Sequence, residues 1–248
     1  MRVLATYNLK GGVGKTSAAV NLSALATKSG LRTLVWDLDP QGAASYLLRI
    51  RPKVKGGGRK LVQGRSDSAT LLRGSDIEGL DLLPADFSYR NLDLALDETK
   101  KPTRRMRKVL APLAPYYDVA LVDCPPAISL ASENVFDVAD ALLVPLIPSN
   151  LSLRTFERIV DFVGNEVEQP PRLVAFFSMV DGRKKLHRQI IEELSANHAT
   201  VARTAIPAAT EVEQMGLHRA PLVCYAPRSR AAGAYRALWD EVRTRLGF

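Results

Sequence analysis

A glycine-rich turn near the N-terminus constrains the fold of this chain more than any other feature. Residues 10–17 read KGGVGKTS; they follow a short apolar run, Arg2–Asn8, and precede an Ala- and Leu-rich segment. The apolar run predicts a strand, and residues 15–29 predict a helix with Gly30 as its C-cap. Glycines allow positive φ angles, so several backbone N–H groups can converge on one anion at the helix N-terminus. A strand, a glycine turn and a helix in this order therefore predict a phosphate-binding loop.

The end of the turn specifies which phosphates it would bind. Gly14, Lys15 and Thr16 close the turn as in the pattern Gly-x-x-x-x-Gly-Lys-[Ser/Thr], although the first glycine of that pattern is absent and the match is to a variant form. In such a loop Lys15 would reach the β- and γ-phosphates, and the Thr16 hydroxyl would ligate Mg²⁺. A chance glycine-rich turn is disfavoured by the strand before it and the helix after it.

Strand-like apolar runs alternate with helical patterns through the rest of the chain. Further strands are predicted at 32–37, Leu80–Leu83, Val119–Val122, Ala141–Leu146, Leu173–Phe177 and Val201–Ile206. Helices are predicted at 88–97, 103–113, 130–138, 151–168, 184–197 and 229–246. This alternation predicts an α/β fold with a mostly parallel, doubly wound sheet flanked by helices, as in P-loop NTPases. The length of 248 residues suits a single domain over 1–248, and no apolar run approaches the ~20 residues that cross a bilayer.

The positive charge of the chain is concentrated in two segments. Lys and Arg total 34 against 26 acids, a net charge of +8. Residues 49–65 carry seven bases and 100–108 carry six, neither with an acid, and the rest of the chain has five more acids than bases. These segments predict basic patches for a polyanion, either nucleic acid or an anionic membrane, with a plain solvated surface as the alternative. Residues 50–68 are predicted to be a basic flexible loop because they are rich in Gly, Lys and Arg.

Three motifs in order resemble the ParA/MinD family of deviant Walker A P-loop ATPases. They are KGGVGKTS with its additional Lys10, WDLDPQGAAS over 36–45, and VALVDCPP over 119–126. The stretch 221–235 is similar to the family's last loop and helix, so the resemblance spans nearly the whole chain. The sequence Asp-Pro-Gln-Gly from Asp39 favours the ParA, Soj-like branch over MinD.

The resemblance implies ATP and Mg²⁺ as cofactors and assigns roles to individual residues. Nucleotide binding would involve Lys10, Gly11, Gly12, Val13, Gly14, Lys15, Thr16 and Ser17, with Ser178 and Pro207 near the base. The metal would be held by Thr16 and Asp123, with Asp37 beside it, since Mg²⁺ prefers oxygen ligands. Asp39 would orient the attacking water and, with Lys10 and Lys15, form the catalytic set. A turn or helix cap before Pro40 is the other interpretation of Asp37 and Asp39.

Lys10 carries the largest functional implication of the resemblance. In the family the corresponding lysine crosses to the ATP of a second subunit, which implies an ATP-dependent sandwich homodimer. The implied protein is a cytoplasmic, nucleoid-associated ATPase that binds double-stranded DNA non-specifically. It would segregate or position a plasmid, a chromosome or a protein assembly through slow hydrolysis that a ParB-like or cargo-adaptor protein stimulates.

One departure from the family concerns the expected DNA surface. Residues 208–216 read AATEVEQMG, where neutral and acidic residues replace the family's basic ones. This departure disfavours the family's usual DNA surface at residues 208–216, or indicates that the surface has moved. The candidate positions are Arg203, Arg219, Arg228 and Arg230, or the segment 49–65.

Three other classes of protein share this loop. A MinD-like membrane ATPase that regulates cell division would need an amphipathic tail; the apolar stripe of the last helix, from Tyr235 to Leu246, is instead predicted to pack on the domain. A metal-cluster relative would need clustered cysteines, and Cys124 and Cys224 lie far apart. A small-molecule synthetase or kinase would need a second substrate-binding motif, and the sequence shows none. The histidines are predicted to be ordinary surface residues: His187, His198 and His218.

Overall fold

The apolar runs of the sequence form the strands of one sheet. The computed structural model describes all 248 residues. The strands are β1 (Arg2–Thr6), β2 (Thr33–Asp37), β3 (Arg73–Gly74), β4 (Leu80–Leu83), β5 (Val119–Asp123), β6 (Ala141–Leu146), β7 (Arg172–Val180) and β8 (Val201–Pro207). Their order is β3-β4-β2-β5-β1-β6-β7-β8, and every pair is parallel except the edge pair β3–β4. The predicted mostly parallel, doubly wound sheet is confirmed.

Helices cover both faces of the sheet. They are α1 (Lys15–Lys28), α2 (Ala43–Leu47), α3 (Gly57–Val62), α4 (Leu92–Asp97), α5 (Arg105–Leu110), α6 (Leu130–Val138), α7 (Asn150–Glu166), α8 (Lys185–Asn197), α9 (Thr210–Glu213), α10 (Met215–His218), α11 (Leu222–Tyr225) and α12 (Arg230–Leu246). One core of 31 buried residues joins α1, α2 and α10–α12 to the sheet. A second core of 38 buried residues joins α3–α8 to the opposite face. Both faces of the central strands are therefore buried from solvent, which explains why their sequences are continuously apolar.

The register of the central strands brings polar residues together at one edge. Thr6, the last residue of β1, pairs with Asp123 at the end of β5, and Asp123 pairs on its other side with Asp37 at the end of β2. Because the strands are parallel, their carboxyl ends meet at the same edge, where α/β proteins bind ligands. The loop between β1 and α1 opens at this edge.

The last helix packs on the sheet, as predicted. Tyr235, Leu238, Trp239, Val242 and Leu246 are all buried. The Trp239 indole N–H donates to Ser29 Oγ at 3.1 Å, which ties α12 to the end of α1. The apolar stripe is therefore a core face. None of the twelve helices combines the length and the hydropathy needed to cross a bilayer.

Two predictions from the sequence are wrong. Residues 50–68 are not irregular throughout, because 57–62 form α3, whose Leu61 and Val62 are buried in the second core. The helix was not predicted because these two apolar residues stand among glycines and charged residues, which together are typical of a loop. His187 is not a surface residue: only 8% of it is exposed, and its Nδ1 accepts the backbone N–H of Asp181 at 3.1 Å.

Candidate functional site

The loop between β1 and α1 has the backbone of an anion site. Gly12 and Gly14 have φ angles of +70° and +95°, a conformation that side chains oppose. Space is open around Gly11 and Gly12, where an added Cβ would meet no atom within 4 Å. Gly14 is the N-cap of α1 and has no side chain to accept hydrogen bonds from the first N–H groups of the helix, which are therefore left for a ligand.

Asn8 anchors this loop to the sheet. Its side chain is fully buried; Nδ2 donates to the Pro145 carbonyl at 2.8 Å, and Oδ1 accepts the backbone N–H of Lys10 at 2.9 Å. The loop is thereby tied to β6 at the residue where it leaves the sheet. This role of Asn8 could not be predicted from the sequence, because its partner Pro145 lies 137 residues away.

Asn8→Ala should lower both stability and nucleotide affinity. The substitution removes two buried hydrogen bonds and leaves the Pro145 carbonyl and the Lys10 N–H without these partners, so we expect a loss of about 1–3 kcal/mol in the free energy of unfolding. Urea unfolding and titration with a fluorescent ATP analogue measure the two effects. Asn134→Ala, in α6, serves as a control for loss of a buried amide away from the loop, because the Asn134 side chain bonds to Pro102, Leu130, Arg105 and Met106. Unchanged affinity in Asn8→Ala would contradict the anchoring role.

Lys15 lies inside the loop. It is only 7% exposed, and its Nζ donates to the Lys10 carbonyl at 2.9 Å. Burial lowers the pKa of its ammonium, and the negative charges of Asp123 and Asp39 oppose this change. The ammonium forms one hydrogen bond and no ion pair within the chain, so a phosphate bound in the loop would satisfy its remaining donors.

Two buried carboxylates face the loop. Asp37 and Asp123 are both fully buried at the ends of neighbouring strands. Asp37 Oδ2 accepts the backbone N–H and the hydroxyl of Ser45, each at 2.7 Å. Asp123 Oδ1 accepts the Thr6 hydroxyl at 3.3 Å. Ser45 and Thr6 are supporting residues that the sequence analysis missed.

The remaining oxygens of this pair fit a metal ion. Asp37 Oδ1 and Asp123 Oδ2 are buried and have no hydrogen-bond partner. Burial raises the pKa of Asp123, as does the charge of Asp37, while the Thr16 side chain and Lys15 lower it. Burial also raises the pKa of Asp37. Unpaired buried carboxylate oxygens are costly unless a cation meets them, and hard oxygen donors suit Mg²⁺. Thr16 and Asp123 could hold that ion, with Asp37 beside them.

Asp39 and Lys10 are both partly exposed, unlike the buried Lys15, Asp37 and Asp123. Asp39 is partly exposed, and its Oδ1 accepts the Gln41 N–H at 2.9 Å, the turn interaction that Asp before Pro can make. Its charge nevertheless reaches both Lys15 and Asp123. The Lys10 backbone N–H and carbonyl form hydrogen bonds with Asn8 and Lys15. The Lys10 ammonium makes no hydrogen bond or ion pair with its own chain.

The two residues predicted near a base lie farther along the same edge. Ser178, in β7, is buried and donates its hydroxyl to the Val13 carbonyl at 2.7 Å, so it supports the loop. Met179 beside it has a φ of +53° at the irregular pairing of β7 with β8. Pro207 ends β8 and pairs with Val180. Ser17 lies in the first turn of α1, and its carbonyl accepts from Asn21.

Comparison with known proteins agrees with this geometry. Residues 1–172, more than two thirds of the chain, match the family model described as an AAA domain. The chromosome partitioning protein ParA of Caulobacter vibrioides is 30% identical, with 99% of this chain and 95% of that protein covered. The chain belongs to the ParA/MinD family of P-loop ATPases. The sporulation initiation inhibitor protein Soj of Bacillus subtilis is 29% identical over 97% of this ATPase and 98% of its own length, which supports the Soj-like branch.

A solved structure extends the comparison to ligands. Cobyrinic acid a,c-diamide synthase from Mycobacterium smegmatis, with bound ADP and magnesium, superposes on this family member with a TM-score of 0.83. The two are 26% identical, and the match covers 100% of this chain and 97% of that one. An adenine nucleotide and magnesium are thus ligands of a protein with this fold.

Proposed function

We propose that this chain is a ParA-like ATPase that binds ATP with Mg²⁺ and forms an ATP-dependent sandwich dimer. The observation that carries the proposal is the contrast between two lysines of one loop. Lys15 is buried and its ammonium donates to the Lys10 carbonyl, whereas the Lys10 side chain is partly exposed and its ammonium makes no hydrogen bond or ion pair within the chain. A partly exposed cation without a partner in its own chain is available to a triphosphate bound by a facing subunit, so nucleotide binding and dimerisation would be linked reciprocally.

The chemistry follows from the residues of the site. The loop N–H groups and Lys15 bind the phosphates, and Mg²⁺ neutralises charge that develops on them. Asp39 holds the attacking water, and the Lys10 ammonium from the facing subunit stabilises the transition state. Hydrolysis is slow until a ParB-like or cargo-adaptor protein stimulates it. The ATPase then acts as a timer that releases its partner.

The same proposal includes DNA binding. The ATP dimer binds duplex DNA without sequence preference, resides on the nucleoid in the cytoplasm, and positions a plasmid, a chromosome or a protein assembly. The Caulobacter relative is a chromosome partitioning protein, which supports this role. A MinD-like membrane function gains no support from α12, whose apolar face is buried.

The test is the nucleotide dependence of DNA binding. Fluorescence anisotropy of a labelled random-sequence duplex is measured at 50 mM salt with ATP, with ADP and without nucleotide. We expect binding with ATP that is at least tenfold tighter than with ADP. The reason is that only ATP supports the dimer, which offers the DNA the basic surfaces of two subunits. Lys15→Ala serves as the control that loses the nucleotide response. Absence of duplex binding with ATP would contradict the DNA role. ATP-dependent amidation of a small carboxylic acid would favour a synthetase instead.

A further inference from the structure

The two basic segments of the sequence meet on one surface. Residues 63–65, after α3, and residues 98–108, from the end of α4 into α5, line a common surface cavity of about 520 Å³. The Arg105 guanidinium crosses between them and donates to the Val62 carbonyl at 2.6 Å. The cationic side chains around this cavity define the basic lobe: Arg65, Lys100, Lys101, Arg105 and Lys108.

Two acids near the basic lobe, Glu98 and Asp67, are engaged within the chain, whereas the exposed Asp97 makes no hydrogen bond or ion pair. Glu98, the one acid that lines the cavity, accepts hydrogen bonds from both Arg59 and Gln63. Asp67 caps the short helical turn that follows it by accepting the Ala69 N–H. None of the five lobe cations forms an ion pair within the chain, although Arg104 and Arg107 beside them do. The lobe therefore presents net positive charge that the fold does not neutralise.

The lobe is presented on a packed scaffold. Leu61 and Val62 of α3, together with Met106, Val109 and Leu110 of α5, are buried in the core beneath it. Cations carried by an ordered surface lose less conformational entropy on binding than cations carried by a floppy loop. Because residues 57–62 form a helix, the cations beside it are held on an ordered surface rather than in a flexible loop.

The lining of the cavity favours one class of polyanion. None of its eight residues is hydrophobic; besides the charged residues it contains only the polar Gln63 and Thr99. Surfaces that insert into anionic membranes combine cations with apolar or aromatic side chains. Contacts to a nucleic acid backbone need only cations and polar donors to the phosphates.

We propose that the basic lobe is the surface through which this chain binds the phosphate backbone of duplex DNA. The inference rests on the proposed DNA-binding function and specifies its location. The lobe lies on the face of the sheet covered by α3–α8, whereas Arg228 and Arg230 lie at the start of α12 on the opposite face. The acidic residues Glu211 and Glu213 in α9 oppose DNA binding on that second face.

Two charge-matched triple variants test the location. The lobe variant is Arg65→Gln, Lys100→Gln and Lys108→Gln; the control is Arg203→Gln, Arg228→Gln and Arg230→Gln. All six side chains are exposed, and none makes a hydrogen bond or ion pair within the chain, so both variants keep their internal contacts. Each removes three positive charges. Binding of a fluorescent ATP analogue and the thermal unfolding curve verify that both variants remain folded.

The measurement is duplex affinity with ATP as a function of salt. Each lost phosphate contact should reduce the steepness of log K against log salt by about 0.9, so we expect the lobe variant to lose about 2–3 units of slope. Its affinity at 0.1 M salt should fall at least tenfold, and the control should stay within about threefold of the wild type.

Three outcomes would overturn the inference, and they are distinguishable. Equal losses in the two variants, or a loss confined to the control, would move the DNA surface off the lobe and leave the proposed function intact. Absence of duplex binding by the wild type would remove the DNA role together with the lobe assignment. Lobe-dependent binding to vesicles of equal phosphatidylglycerol and phosphatidylcholine, without lobe-dependent DNA binding, would assign the lobe to a membrane.

Discussion

Lys10→Ala is expected to abolish the ATP-dependent dimer while leaving nucleotide binding by the monomer nearly unchanged. In the proposed dimer each Lys10 meets the partner's triphosphate, so the variant loses two charge-assisted contacts. Each such contact contributes about 1.5–3 kcal/mol, which corresponds to a roughly 10²–10⁴-fold weaker dimer. Light scattering after size exclusion, with a non-hydrolysable ATP analogue and Mg²⁺, measures the dimer. Titration of a fluorescent analogue into dilute protein measures nucleotide affinity.

Lys15→Ala provides the comparison for this prediction. Lys15 is buried within the loop of its own subunit, so its removal should reduce nucleotide affinity directly and prevent dimerisation for that reason. Lys10→Ala should separate the two effects. If Lys10→Ala forms the wild-type dimer and hydrolyses ATP at the wild-type rate, Lys10 does not act across the interface.

Asp123→Asn is expected to increase stability and to abolish activity. The carboxylate of Asp123 is buried beside that of Asp37, and each has an oxygen without a partner. Replacing one of them by a neutral amide removes this repulsion, so the free energy of unfolding of the nucleotide-free protein at pH 7 should rise by about 1–3 kcal/mol. In the proposed mechanism the same change also removes a magnesium ligand, and we therefore expect ATP hydrolysis to fall at least 100-fold.

The pH dependence of stability provides the signature of this effect. Burial raises the pKa of both carboxyls above their ordinary value near 4. The folded state therefore keeps protons that the unfolded state releases, so these groups lower the free energy of unfolding as pH rises above about 4. Urea unfolding between pH 4 and 8 should show a smaller decline in Asp123→Asn than in the wild type.

Asp118→Asn is the matched control, because its effect has the opposite sign. The Arg32 guanidinium, 2.8 Å from Asp118, lowers the pKa of that exposed carboxyl to about 2. Its contribution to stability is present at neutral pH and is lost as pH falls toward 2. The control should therefore lose stability at pH 7. A loss of stability in Asp123→Asn as well would contradict the account of the buried pair.

The sequence was sufficient where the fold depends on local patterns. The strands β4 and β6 lie at the predicted residues, and the phosphate loop lies where the strand, the glycines and the helix place it. Two-residue strand β3 and the four-residue helices α9–α11 escaped prediction, because segments this short carry no measurable periodicity. The helix α3 escaped because only Leu61 and Val62 of its residues have the apolar character of a core face.

The supporting shell of the site could not be predicted, because it depends on partners distant in sequence. The partner of Asn8 is Pro145, and that of Ser178 is the Val13 carbonyl, 165 residues away. Spacing along the chain gives no indication of either pair. The same holds for the basic lobe, whose segments are separate in sequence and are joined by the packing of α3 against α4 and α5 and by hydrogen bonds such as that of Arg105 to Val62.

The most direct test is a crystal structure with Mg²⁺ and a non-hydrolysable ATP analogue. The account predicts two subunits with facing phosphate loops and the Lys10 ammonium of each within hydrogen-bond distance of the triphosphate in the other. A nucleotide-bound structure in which Lys10 extends into solvent, with no second subunit opposite the loop, would contradict it.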